Sequence, residues 1–130
     1  MIQRIQTLFL FLIVIVASAG LFMNLYTAEG TSHIVLENNN ITIVSSIVST
    51  LALVSIFMYS NRRLQIKLCY GLMLLSLVCE AFIGFDYSKY SPNFNMFLFG
   101  FPTITFILAF LAQHFIKKDL KLVESADRLR

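Results

Sequence analysis

The sequence predicts an all-α fold, an integral membrane antiparallel four-helix bundle. Two observations carry that expectation. Apolar residues make up 58% of the 130 residues and charged residues only 13%, against about a quarter charged in a soluble domain. There is too little charge to coat a globule in water. The apolar residues also fall into four runs of the length a membrane-crossing helix needs, about 20 residues. Strands are the weaker reading, because FLFLIVIVASAGLF does not alternate as a barrel strand must.

The first run is Thr7 to Tyr26. Met1 to Arg4, an apolar stretch and Ala17-Ser18-Ala19 together resemble a cleaved signal sequence. The apolar run continues through Gly20 to Met23, so the reading adopted is a retained helix. The second run, Ile41 to Ser60, is free of charge and rich in Ser and Thr. Ser45, Ser49 and Ala52 recur at helical spacing, with Ser46 and Thr50 alongside, as at a close helix–helix contact. The third run, Leu64 to Phe85, has Lys67 near its start and Glu80 near its end. The fourth, Phe94 to Ile116, contains Gly100 and Pro102 and is expected to be one kinked span. A helix starting near Phe101 is the alternative; it would span only about 22 Å from Pro102 to Ile116.

The links are TAEGTSHIVLENNN, NRR and DYSKYSPN. Three residues, Asn61 to Arg63, force the second and third helices into a hairpin. The chain therefore divides into a transmembrane domain, 1–116, and a cytoplasmic amphipathic tail, 117–130. In that tail Phe115, Leu122, Ala126 and Leu129 recur at helical spacing.

Charge placement predicts orientation. Arg4, Arg62, Arg63, Lys67, Lys117, Lys118, Lys121, Arg128 and Arg130 fall on one side of the four spans, and Lys89 alone on the other. Basic residues stay cytoplasmic, so both termini are expected there. Arg62, Arg63, Lys117, Lys118, Lys121, Arg128 and Arg130 are the expected contacts to anionic lipid or to a partner. Tyr26, Phe85, Tyr87 and Tyr90 fall at the outer boundary and Tyr59 at the inner one, depths that suit rings with a polar tip.

Glu80 is the one carboxylate deep in an apolar run, roughly 7 to 8 Å inside the outer boundary. A charge at a helix centre costs about 2.5–3.5 kcal/mol on insertion scales, less near the edge. Cys69, Ser76 and Glu80 share one helical stripe. Alternating helices bring Asn24, Ser45, Ser46, Thr103 and Thr105 to matching depth. The candidate intramembrane polar cluster is Glu80, Ser76, Asn24, Ser46 and Thr103. The plain reading is one structural hydrogen bond or a carboxylate reaching the headgroups; the sharper one is a proton or substrate site.

Other residues carry less. Cys69 and Cys79 lie about 80° apart and roughly 15 Å along a helix, too far for a disulfide. His33, Glu29 and Glu37 are scattered through a loop, and Gln113 and His114 close the fourth helix. Asn40-Ile41-Thr42 is a bare glycosylation triplet beside a span. No metal, cofactor, nucleic-acid or catalytic constellation is legible, so an enzyme is not expected.

The opening Met1 to Thr7, MIQRIQT, and the closing Lys121 to Arg130, KLVESADRLR, resemble the two ends of the DUF4293 family, small four-helix inner-membrane proteins of Bacteroidota. The resemblance covers the chain in length and layout, and in the middle only in hydropathy. It implies a bacterial inner-membrane location and four spans, and it brings no activity or site residue. The expected function is a non-enzymatic accessory or scaffold subunit, with the lipid bilayer and another membrane protein, or a second copy, as partners. The alternative is a small dimeric transporter or proton-coupled carrier using Glu80. Small multidrug carriers share its size, helix count and single membrane carboxylate, but they hold that carboxylate in the first helix.

Overall fold

A computed structural model describes residues 2–30, 39–58, 60–90 and 99–128, with side chains at 5–21, 42–58, 60–85 and 99–126. These residues form four α-helices: α1 Ile2–Gly30, α2 Asn39–Phe57, α3 Arg62–Tyr90 and α4 Gly100–Arg128. No strand occurs among the described residues.

Helix boundaries follow local chemistry. α2 stops at Phe57, three residues earlier than the apolar run suggests, and the chain turns over Met58 to Asn61. The Asn61 amide donates to the Met58 carbonyl at 3.0 Å, and the Asn61 carbonyl accepts the Gln65 amide at 3.0 Å, which starts α3. Arg62 and Arg63 thus belong to the first turn of α3 rather than to a loop. Pro102 lies in the first turn of α4. Its missing N–H falls where a helix has no carbonyl to offer, so nothing is lost. This corrects the expected kink: α4 runs unbroken from Gly100 to Arg128 and absorbs the predicted tail.

The helices pack in a ring: α1 on α2 and α4, and α3 on α2 and α4. Gln6 donates from Nε2 to the Phe115 carbonyl at 3.1 Å, and Phe9 stacks on Phe115 with centroids 5.5 Å apart. Gln65 Nε2 reaches the Ser55 carbonyl at 3.2 Å, and Arg62 reaches Asp119 at 3.2 Å. The first turns of α1, the α2–α3 turn and the later turns of α4 therefore meet at one end, here called the basic end. Near the other, Gly20 of α1 faces Phe101 of α4.

All four helices feed one core, including Leu10, Ile13, Ala17, Val48, Ala52, Cys69, Leu72, Ala109, Ala112 and Ile116. Small side chains recur along the contacts and let backbones approach closely. Gly20 is the tightest case, since a Cβ there would lie 3.3 Å from Phe101 Cγ. Large apolar side chains also cover the outside, among them Leu8, Phe11, Ile47, Phe57, Leu74, Leu77, Ile107 and Phe110.

Two helices are long and apolar enough to cross a membrane, Arg62–Phe85 with 24 residues and Gly100–Ala126 with 27. The described apolar parts of α1 and α2, Ile5–Leu21 and Thr42–Phe57, are shorter, between 10 and 17 residues.

Candidate functional site

The expected polar cluster divides into two places. Glu80 and Thr103 do meet. Thr103 donates its hydroxyl to Glu80 Oε1 at 2.7 Å, while the same Oγ1 lies 2.8 Å from the Phe99 carbonyl. One hydroxyl proton is thus shared between two acceptors. The pair sits on the outer seam between α3 and α4, where Thr103 is exposed and Glu80 half-buried.

Ser76 turns inward instead. It is 1% exposed and donates to the Met73 carbonyl at 2.8 Å. It faces a cavity of about 20 Å³ that all four helices line: Ala17 and Gly20, Ser45 and Val48, Ser76 and Cys79, and Phe101, Pro102 and Thr105. That volume suits a single water. Glycine at 20 and serines at 45 and 76 leave the space, because larger side chains at those positions would fill it.

The hydroxyls around the cavity are already engaged. Thr105 donates to the Phe101 carbonyl at 2.8 Å, and Ser45 Oγ lies 3.9 Å from Cys79 Sγ. Back-bonding of Ser and Thr to their own helix satisfies the hydroxyl and leaves an acceptor lone pair facing the space. The arrangement ties helices together. Nothing in it pairs a nucleophile with a base.

Ser46 belongs to neither place. It is exposed and donates to the Ile43 carbonyl at 2.8 Å. Asn24 is carried by α1, but its side chain lies outside the described residues, as do those of Arg4, Tyr26, Tyr59, Arg128 and Arg130. His33, Glu29, Glu37, Asn40, Tyr87, Lys89 and Tyr90 likewise have no described side chain.

The basic end is the most polar part of the molecule. Arg62 Nη1 and Asp119 Oδ2 form a mostly buried ion pair, whereas Arg63 Nη2 and Glu124 Oε1, 3.7 Å apart, are far more exposed. Arg62, expected to contact lipid or a partner, is instead spent inside the fold. Lys117 donates to the Tyr70 hydroxyl at 2.8 Å. Its ammonium lies 5.1 Å from the ring centroid. Together these distances put the charge off the hydroxyl edge, not over the ring face. Lys67, Lys118 and Lys121 are exposed.

Sequence reading did not single out Gln6, Gln65 or Asp119, all of them buried. A signal for Gln65 existed: with Cys69, Leu72 and Ser76 it continues the inward stripe of α3. Asp119 is masked by the lysines around it.

Among the described residues, no group of three His, Cys, Asp or Glu side chains is placed to hold a metal ion. No curated protein and no solved structure matches the chain. One family model does, over residues 2–129, and its description is "Domain of unknown function (DUF4293)". With nearly its whole length matched and its four helices accounted for, the chain belongs to the DUF4293 family.

Proposed function

We propose that this chain is a multi-pass protein of a bacterial inner membrane, with four antiparallel spans and both termini in the cytoplasm. It acts there as a non-enzymatic accessory or scaffold subunit of a larger membrane complex. The membrane part rests on the outer surface. Every helix turns large apolar side chains outward, and the described stretches 5–21, 42–57 and 99–116 carry no charge. Lipid is the solvent that suits such a surface, since exposed apolar patches of this extent are uncommon on soluble monomers. Orientation follows from the clustering of Arg62, Arg63, Lys117, Lys118 and Lys121 at the basic end.

The observation that carries the functional part is the size of the interior. A cavity of about 20 Å³ admits a water, not a solute. What remains for recognition is the outside: helix faces and the extended end of α4. Purification from native membranes in mild detergent tests this. A larger membrane protein in fixed ratio is the expected result.

One observation favours a second reading. Glu80 sits at membrane depth on an open seam with Thr103 as its hydrogen-bond donor. Two copies joined along that seam would enclose the carboxylate, as a dimeric proton-coupled carrier requires. A homodimer with pH-dependent ligand binding that Glu80→Gln abolishes would replace the subunit reading.

A further inference from the structure

We propose that the outer groove between α3 and α4 is a binding site for one anionic phospholipid, its phosphate held between Lys67 and Lys121. The inference rests on the membrane reading above and names a ligand for one place on that surface.

The groove has a regular build. Arg63 pairs with Glu124 across it, and Tyr70 pairs with Lys117. Both steps are seven residues, so the same register sets Leu77 opposite Phe110 one level further on. From the basic end, the rungs run from charged to hydroxyl-bearing to apolar. Lys67 and Lys121 fall midway between the first two rungs, one on each edge. Both are exposed, and no ion pair or hydrogen bond joins either to another described residue.

Two cations facing one another across a groove repel unless an anion lies between them. Lys117 adds a third positive charge beneath, and the one acid on this face, Glu124, is already engaged by Arg63. The chemistry calls for a phosphate, which accepts several N–H bonds at once. The surface below specifies what the phosphate is attached to. Leu74 and Leu77 on α3, with Ile107 and Phe110 on α4, are all about half exposed or more. They continue the groove for two further turns as apolar wall, the complement of an acyl chain. A free phosphate has no use for that wall.

Retention of lipid by the detergent-purified full chain tests the assignment. Native mass spectrometry would compare phosphatidylglycerol with phosphatidylcholine on the wild type and on Lys67→Gln/Lys121→Gln. The wild type is expected to prefer phosphatidylglycerol. The double variant should lose roughly thirtyfold of that preference, the ratio equivalent to about 1 kcal/mol per lysine at an anionic surface. Lys118→Gln/Arg4→Gln removes the same charge away from the groove and should keep the preference.

Equal losses in both double variants would overturn the site, because they would reduce it to general attraction. Equal retention of the two lipids by the wild type would overturn it as well. So would competition by millimolar inorganic phosphate combined with indifference to Leu74→Ser/Phe110→Ser, which would mark a free-anion site. These failures leave membrane insertion standing. A chain that stays dispersed without detergent would instead defeat the membrane reading itself.

Discussion

Arg62 Nη1 and Asp119 Oδ2 lie 3.2 Å apart, both atoms shut off from solvent and neither in line for a hydrogen bond. Removing one partner of such a pair leaves an uncompensated buried charge, which costs about 3–5 kcal/mol. Asp119→Ala is therefore expected to lower the unfolding free energy in detergent by about 3 kcal/mol, the low end of that range because the side chains keep some exposure. Arg62→Met/Asp119→Leu should recover most of the loss, and a double-mutant cycle read by thermal unfolding checks both values. Glu80 behaves differently because water or headgroups still reach it. Glu80→Gln keeps an oxygen that accepts from Thr103, so stability should change by no more than about 0.5 kcal/mol. Thr103→Val deletes the donor and should cost about 1 kcal/mol, the net worth of one hydrogen bond. If Glu80→Gln destabilised more than Thr103→Val, the carboxylate would have a partner beyond the threonine.

The close approach of α1 to α4 depends on Gly20 lacking a side chain. Gly20→Leu must push Phe101 away and is expected to cost about 1–3 kcal/mol by overpacking. Gly71 meets nothing within 4 Å of an added Cβ. Gly71→Leu is the matched control, and its melting temperature in detergent should not fall. Which glycine sits at a helix contact was not readable from the sequence, since both lie in apolar runs with the same local chemistry. Helix existence was readable, because continuous apolar runs without strand alternation leave little else. Helix ends were not. The apolar runs stop where lipid-compatible residues stop, whereas helices continue while backbone hydrogen bonds do. Hence α1 and α3 reach past their runs at both ends, to Gly30 and Tyr90. α4 continues through lysines and glutamates to Arg128, helix formers all, and Pro102 falls in its first turn. The Glu80–Thr103 contact was legible because depth along a helix is linear in residue number. The turning of Ser76 inward and Ser46 outward was not, since small serines suit either face.

Taken whole, the molecule wears apolar residues inside and out. In lipid, burial of such surface does not by itself drive helix against helix. Close packing of Ala, Gly, Ser and Cys, and polar contacts such as Gln6 to Phe115 and Gln65 to Ser55, then hold the helices together. Cysteine labelling tests the orientation in intact cells. In a background of Cys69→Ala and Cys79→Ser, Arg63→Cys should react with an impermeant maleimide only after the membrane is opened. Labelling from outside would invert the topology. The unbroken course of α4 has one further consequence. At 1.5 Å per residue its 29 residues make a rod of about 43 Å, with no glycine or proline after the first turn to act as a joint. Leu122 and Val123 project from its free end, past the level of α1, half uncovered. Anything that grips them holds a lever. Its tilt arrives at Phe101 and Gly20, across the full depth of the protein, without loss along the way.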